Sequence, residues 1–205
     1  MTFQRVAIIG LGLLGGSIGL ALREAQTAVE TTGFDVDPAT RARAAERGLV
    51  GTVCETGAEA VQDADLVIFC VPVGTIGPVA AELAHAIRAD AVISDVGSSK
   101  QSVATALAEA LPGRTVIPAH PVAGTERSGP DAGFASLFHS RWCIITPPEG
   151  ADPAAVEALS AFWEALGAKV EVMDAQHHDL VLAVTSHLPH LIAYTIVGTA
   201  SDLKR

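Results

Sequence analysis

The feature that most restricts the fold of this chain is a glycine turn, Gly10-x-Gly12-x-x-Gly15, that joins an apolar segment to a helical one. The apolar segment, residues 5–9, shows no polar alternation, which is typical of a parallel strand covered on both faces. A helical pattern begins after the glycines, and residues 31–36 resemble a second strand. The start of the chain is therefore predicted to be a strand–helix–strand unit with the glycines at its first turn.

Each glycine has a separate task in a turn that binds a dinucleotide. Gly10 permits the tight turn, Gly12 lets backbone N–H groups approach a pyrophosphate, and Gly15 lets the helix and the strand touch. Leu13 and Leu14 lie where the helix begins, and a helix N-terminus carries partial positive charge that favours phosphate. A turn that is merely rich in glycine is the alternative, but the order of strand, turn, helix and second strand favours the dinucleotide site.

Asp35 lies at the end of the second predicted strand, 20 residues after Gly15. Its carboxylate is expected to accept hydrogen bonds from ribose hydroxyls and to repel a 2′-phosphate, so the sequence favours NAD over NADP. Arg41 and Arg43 follow this strand, and an arginine in that place can hold a 2′-phosphate. NADP therefore stays open as the less favoured cofactor.

Strands and helices alternate along most of the chain. The further predicted strands are residues 65–71, 91–95, 115–118, 142–146 and 169–173, and the helices are residues 17–28, 38–47, 78–87, 100–111 and 153–166. This order predicts an α/β fold with a doubly wound, mostly parallel Rossmann-type sheet, whose crevice lies at the C-terminal ends of the strands. Val71 and Pro72 end a strand at that edge and are predicted to contact the cofactor, although a proline there can also simply end a strand.

The pattern changes after Asp174, where residues 175–201 form one long apolar helical pattern interrupted by Pro189. We therefore divide the chain into an NAD-binding Rossmann-type domain, residues 1–173, and the first helix of an all-helical C-terminal domain, residues 174–205. That helix is too apolar to stand alone, so it is expected to pack on the sheet domain or on another subunit.

Composition excludes several classes of protein. Lys and Arg number 13 against 23 Asp and Glu, a net charge of −10, which disfavours nucleic acid and a basic membrane-binding face. The uncharged run 6–22 imitates a membrane span, but it is shorter than the roughly 20 residues a span needs and is interrupted by glycines. Three cysteines without paired spacing favour a reducing cytoplasm.

Two polar side chains follow predicted strands at the crevice edge. Ser98 follows strand 91–95 and either caps the next helix or points to where a nicotinamide would lie. His120 follows strand 115–118, and a neutral imidazole can accept a proton near pH 7. A single histidine is usually a surface or core residue, so its position at a strand end is what makes a general base plausible.

A second histidine pair lies in the last helix. His187 and His190 are three residues apart and therefore share a face, and a kink at Pro189 can aim both rings into the crevice. This spacing also suits zinc, but no third ligand motif lies nearby, and no metal is predicted. His177 and His178 are expected on the solvated first turn of that helix.

The segment from His120 to Glu126, HPVAGTE, resembles the prephenate/arogenate dehydrogenase (cyclohexadienyl dehydrogenase) family. The glycine turn, the segment GSSK at 97–100 and the segment SHLPH at 186–190 extend the resemblance over essentially the whole chain. It implies NAD-dependent oxidative decarboxylation of prephenate and/or L-arogenate in tyrosine biosynthesis, with hydride transferred to NAD and aromatisation of the ring.

The resemblance also implies roles for single residues. His120 would accept the hydrogen of the ring C4 hydroxyl, and Ser98 would hydrogen-bond and orient the same hydroxyl. Thr125 and Glu126 would line the substrate mouth, although Glu126 can equally be a solvated loop carboxylate. The further substrate contacts implied are Ser186, His187 and His190.

Members of this family continue into a longer helical dimerisation domain that supplies a substrate-binding arginine, so the resemblance implies a homodimer formed through the C-terminal helical region. The chain as given stops at Arg205, before that arginine, and turnover is in doubt on this ground. Two alternatives stay open: another NAD(P)-dependent dehydrogenase or imine reductase of related fold, and a truncated, non-catalytic NAD-binding module.

Overall fold

A computed structural model describes residues 3–202, and its largest feature is a six-stranded parallel sheet. The strands are β1 (Arg5–Ile9), β2 (Glu30–Phe34), β3 (Thr52–Val53), β4 (Leu66–Phe69), β5 (Val92–Asp95) and β6 (Thr115–Val116). Their order across the sheet is β3-β2-β1-β4-β5-β6, which reverses between β1 and β4. This is the doubly wound Rossmann order, and it confirms the predicted fold class.

Helices cover both faces of this sheet. They are α1 (Leu13–Glu24), α2 (Pro38–Arg47), α3 (Gly57–Val61), α4 (Val73–Leu83) and α5 (Gln101–Ala110), whereas α6 (Pro153–Ala165) packs on a second, smaller sheet. Neighbouring residues of each strand point to opposite faces: Ile8 and Ile68 belong to one core cluster, and Ile9 and Phe69 to the other. Two buried faces explain why these strands are continuously apolar in sequence.

A second, three-stranded sheet packs beside the first. It consists of β7 (Ala119–Pro121), β8 (Trp142–Ile145) and β9 (Lys169–Val172), with β7 and β8 antiparallel and β8 and β9 parallel. The sequence places His120 just after strand 115–118, at its C-terminal end, whereas in the structure His120 is the central residue of a separate strand, β7. Ile117 still donates to Ile93 of β5, whereas the carbonyl of Pro118 accepts a hydrogen bond from Thr146 beside β8, so the chain changes sheets there.

Several helix boundaries also differ from the predicted ones. Helix α1 begins at Leu13 rather than residue 17, and it ends early because Gln26 has a φ of 49°, outside the helical region. Helix α4 begins directly after Pro72 and contains Pro78, which was predicted to start it. Pro78 is the sixth residue of α4, so the helix lacks the hydrogen bond that an N–H at this position would donate to the Gly74 carbonyl.

The C-terminal segment consists of α7 (Ala175–Leu182) and α8 (Leu188–Asp202), joined by a π-helical turn, Ala183–His187. The N–H of Leu188 bonds to the carbonyl of Ala183, five residues back. Pro189 has no N–H to give Thr185, and the widened turn directly before it is how the predicted interruption occurs. Within residues 3–202, Ala175–Ser201 is the one stretch long and apolar enough to cross a membrane by length and composition.

Candidate active site

The glycine turn between β1 and α1 has the conformation that its sequence predicts. Gly10 has a φ of +101°, and a Cβ there would lie 2.5 Å from the Cys70 carbonyl oxygen. A Cβ on Gly15 would lie 1.9 Å from the Gly10 oxygen, so helix and turn touch closely. Among residues 3–202, no atom lies within 4 Å of a Cβ added at Gly12, and no side chain caps α1. The helix N-terminus is therefore accessible to a phosphate group.

The Asp35 carboxylate is held from two sides by backbone N–H groups. Oδ2 accepts from Leu11 at 2.9 Å, and Oδ1 accepts from Asp37 at 3.0 Å. The first bond ties the end of β2 to the glycine turn, so the carboxylate has a fixed position beside it.

The two arginines that kept NADP open already have partners. Arg41 donates to the Asp35 carbonyl, pairs with Glu55 at 3.2 Å and lies over the Phe34 ring at 5.5 Å. Arg43 pairs with Glu46 and Asp131, each at 2.6 Å. Neither guanidinium is presented freely beside Asp35, which supports the preference for NAD.

Val71 and Pro72 lie on the other side of the turn. They follow β4, the strand beside β1 at which the strand order reverses. A Cβ added at Gly10 would lie 3.1 Å from Cγ1 of Val71, so this side chain borders the turn, and Pro72 directly precedes α4. Ligands of this fold bind at such a reversal point.

Every residue predicted to act on the substrate lines one cavity of about 740 Å³. Its lining contains Ser98, His120, Thr125, Glu126, Ser186, His187 and His190. The structure adds Val122, Ala123, Gly124, Arg141 and Tyr194. A second cavity, of about 640 Å³ and bordered by Arg5 and Glu30, opens near the amino ends of β1 and β2 and contains none of the predicted residues.

A buried ion pair connects the two segments that carry Ser98 and His120. Lys100 and Asp95 are both fully buried and form a salt bridge. The Lys100 ammonium also donates to the Ala119 carbonyl at 2.8 Å, and Asp95 accepts from the N–H groups of Gly97 and Ala119. The turn after β5 is thereby fixed to β7. The sequence analysis gives no role to Asp95 or Lys100, although Lys100 follows Asp95, the last residue of a predicted strand, by five residues.

His120 is hydrogen-bonded to a second histidine, which is bonded to a carboxylate. Nδ1 of His120 lies 2.8 Å from Nε2 of His178, and Nδ1 of His178 lies 2.8 Å from Oδ1 of Asp179. A carboxylate only accepts, so His178 donates from Nδ1 and its Nε2 accepts from Nδ1 of His120. Nε2 of His120 is then left as an unprotonated acceptor.

The pKa values of His120, His178 and Asp179 are set by burial and by the hydrogen bonds that Asp179 accepts at the start of α5. Burial lowers the pKa of His120 to about 3, with Lys100 contributing in the same direction. Burial also lowers the pKa of His178, against the attraction of Asp179. Burial acts to raise the pKa of Asp179, but N–H groups of Lys100 and Gln101 and the His178 ring lower it overall. At neutral pH the chain is therefore carboxylate, neutral imidazole, neutral imidazole.

The interpretation of His178 as a solvated residue is wrong. His177 is exposed as expected, but His178 is completely buried, on the side of α7 that packs against the sheet domain. The helical pattern of residues 175–201 does not show that His178 is on the buried side, because its partner strand, β7, is distant in sequence. Within residues 3–202 no group of three or more metal-binding side chains is arranged to hold an ion.

Comparison with known families decides what kind of domain holds this arrangement. Residues 18–172 match the prephenate dehydrogenase nucleotide-binding domain. The chain belongs to the prephenate dehydrogenase family. Residues 174–205 match the dimerization domain of the same family. The predicted family is thus confirmed.

Curated relatives agree with this membership. The cyclohexadienyl dehydrogenase of Zymomonas mobilis is 43% identical over 203 residues, and the alignment covers 99% of this chain and 69% of that protein. The prephenate dehydrogenase of Bacillus subtilis is 34% identical over 194 residues, covering 94% of this chain and 52% of that protein. The chain thus spans between half and about two thirds of these relatives.

Solved structures show the same fold. Prephenate dehydrogenase from Aquifex aeolicus, in complex with hydroxyphenyl propionate and NAD+, superposes with a TM-score of 0.90 at 31% identity, covering 97% of this chain and 70% of that one. Synechocystis arogenate dehydrogenase superposes with a TM-score of 0.86 at 28% identity, covering 96% of this chain and 69% of that one.

Proposed function

We propose that this chain carries out NAD-dependent oxidative decarboxylation of prephenate or L-arogenate. The observation that supports it most is the cavity at which Ser98, the unprotonated Nε2 of His120 and the predicted substrate-contacting residues meet. The relatives include enzymes named for each substrate, and both substrates carry the hydroxyl that these groups would bind.

The residues at the glycine turn fit an NAD dinucleotide. Gly12 leaves room over the start of α1 for the pyrophosphate, Asp35 is oriented for ribose hydroxyls, and Val71 and Pro72 border the crevice. Bound NAD would accept the hydride that leaves the substrate carbon. The domain containing these residues would comprise residues 1–173.

The chain's own side chains would manage the proton and the orientation of the substrate. Ser98 hydrogen-bonds the ring hydroxyl, and His120 accepts its proton at Nε2 as hydride leaves the same carbon and the ring carboxylate leaves as CO2. The resulting imidazolium is stabilised by the Asp179 carboxylate acting through His178. Because the ring becomes aromatic, much of the driving force comes from the substrate itself.

NADH formation at 340 nm tests the proposal, with prephenate and L-arogenate as separate substrates. We expect NADH with at least one of them and a fall of about 10²–10⁴-fold in the His120→Asn variant, with NAD affinity nearly unchanged. An unchanged rate in that variant would remove His120 from the mechanism. Saturable NAD binding without NADH would instead select a non-catalytic NAD-binding module.

We also propose that residues 174–205 contribute to a homodimer in a cytoplasmic enzyme. The apolar side chains that α7, α8 and the turn between them leave exposed are Leu180, Val184, Leu188, Leu191, Ile192, Tyr194, Ile196 and Val197. A surface of this kind needs a covering partner, and the matching domain is a dimerization domain. Light scattering after size-exclusion chromatography should give twice the chain mass, and Ile196→Glu should shift it to one chain mass.

A further inference from the structure

Arg141 differs from the other arginines in its surroundings. Among residues 3–202 it is the one arginine whose guanidinium makes no hydrogen bond and no ion pair with another described residue. It also lines the cavity that contains Ser98 and His120. A guanidinium stays charged at any physiological pH and matches a carboxylate in geometry.

The backbone at Arg141 is held firmly on both sides. Its N–H donates to the Phe138 carbonyl at 3.0 Å, and its carbonyl accepts from Lys169 at 2.7 Å. The next carbonyl, that of Trp142, accepts from Val122 at 2.7 Å. Arg141 therefore starts from a fixed point between β8 and β9, so less entropy is lost when its side chain binds a ligand.

The register of the second sheet sets its distance from the reacting group. His120 pairs with Ile144, and Arg141 comes three residues before Ile144, directly before β8. The backbone of Arg141 is therefore about 10 Å along the strand from the His120 pair, and both residues line the same cavity. Prephenate and arogenate carry the hydroxyl at one end of the ring and a side-chain carboxylate beyond the opposite end, a span of the same order.

We propose that Arg141 binds the side-chain carboxylate of the substrate, an assignment that rests on the proposed function. The ring carboxylate is the poorer candidate, because it leaves as CO2 and a cation that stabilised its charge would oppose that departure. The side-chain carboxylate survives the reaction and can stay bound throughout. With a net charge of −10, the chain repels an acidic substrate in general, so a local cation matters for its capture.

Binding of two matched ligands tests the assignment without requiring turnover. Calorimetric titrations in saturating NAD compare 4-hydroxyphenylpropionate with 4-propylphenol, a neutral ligand of similar shape. The proteins are the unaltered chain, Arg141→Gln, Arg141→Lys and Arg127→Gln. Arg127 serves as the matched control, since it lies on the neighbouring loop, is exposed and does not line the cavity.

The expected result is a selective loss. Arg141→Gln should weaken the acid by about tenfold or more and leave 4-propylphenol within about twofold, as expected when a charge-assisted contact is lost. Arg141→Lys should restore part of the affinity, and Arg127→Gln should change neither ligand.

Two other results would overturn the assignment in distinguishable ways. Equal affinity of the acid for the unaltered chain and Arg141→Gln would reject Arg141 while leaving the proposed function intact. If the unaltered chain bound neither ligand, the substrate site itself, and with it the proposed function, would fail.

Discussion

Asp179→Asn tests whether the chain from Asp179 through His178 to His120 does more than hold the fold. The carboxylate accepts three hydrogen bonds: Oδ1 from Lys100 and from His178, and Oδ2 from Gln101. An asparagine of the same shape retains one acceptor oxygen. Its NH₂ group must then face an N–H donor, and the negative charge opposite His178 is gone.

The magnitude follows from what the charge does during the reaction. A hydrogen bond to a charged group contributes about 1.5–3 kcal/mol, against about 1 kcal/mol for a neutral one. If Asp179 stabilises the imidazolium that forms on His120, exchanging the charged acceptor for a neutral one raises the barrier by the difference, about 0.5–2 kcal/mol. The rate constant kcat should then fall by roughly 2–30-fold. The KM for NAD should not change, because Asp179 does not lie at the glycine turn.

Asp179→Asn also weakens the hydrogen bonds that Asp179 accepts from the N–H groups of Lys100 and Gln101 at the start of α5, so a control is needed. Asp174 caps α7, accepting from the N–H of His177 at 2.8 Å, and its side chain makes no hydrogen bond with His178. Asp174→Ala should lose about 1 kcal/mol of stability through the lost cap and keep its kcat.

The assay is steady-state NADH formation, with thermal unfolding measured on the same samples. A kcat for Asp179→Asn within twofold of the unaltered enzyme would refute a catalytic role of the carboxylate. An equal fall in both variants would show that the helix, and not the charge, is responsible.

The remaining predictions concern the glycine turn and acid stability. Gly12→Ala should fold normally, since its Cβ meets open space, but should weaken NAD binding by calorimetry by tenfold or more, whereas Gly15→Ala should lower Tm because its Cβ would overlap the Gly10 oxygen; equal Tm values would contradict this account. Because burial lowers the pKa of His120 to about 3, the unfolded chain binds a proton there that the folded chain does not. The free energy of unfolding should therefore fall as pH drops from about 6.5 towards 3, by up to about 1.4 kcal/mol per pH unit, and less steeply in His120→Asn; parallel urea-derived curves for the two proteins would exclude the buried imidazole as the cause.

The parts of the fold that sequence predicted well are those with a local cause. Gly10 has the positive φ that its place in the turn requires, and Asp37 and Gly48 end helix α2 as an N-cap and a left-handed C-cap. The continuous apolar sequence of the strands predicted that both of their faces are buried, which is typical of a parallel sheet. Each of these features depends on residues close together in the chain.

The parts that sequence did not predict depend on partners far apart in the chain. β7 has three residues and two prolines beside or within it, and it exists because β8, more than 20 residues later, pairs with it. His178 gives no sign of burial in its own helix, because its partner, His120, lies 58 residues earlier. Arg141 belongs to no motif in the sequence, so nothing near it predicts that it lines the cavity.

The sequence by itself determined the dinucleotide turn, the alternation of strands and helices, and the residue types that a base and a hydroxyl donor require, because backbone conformation and strand burial are local properties of a chain. Only the tertiary structure decided which histidine nitrogen is the acceptor. It also decided which carboxylate supports that nitrogen and which arginine is left without a partner. These depend on the direction of single hydrogen bonds and on distances across two sheets, and no spacing in the sequence encodes them.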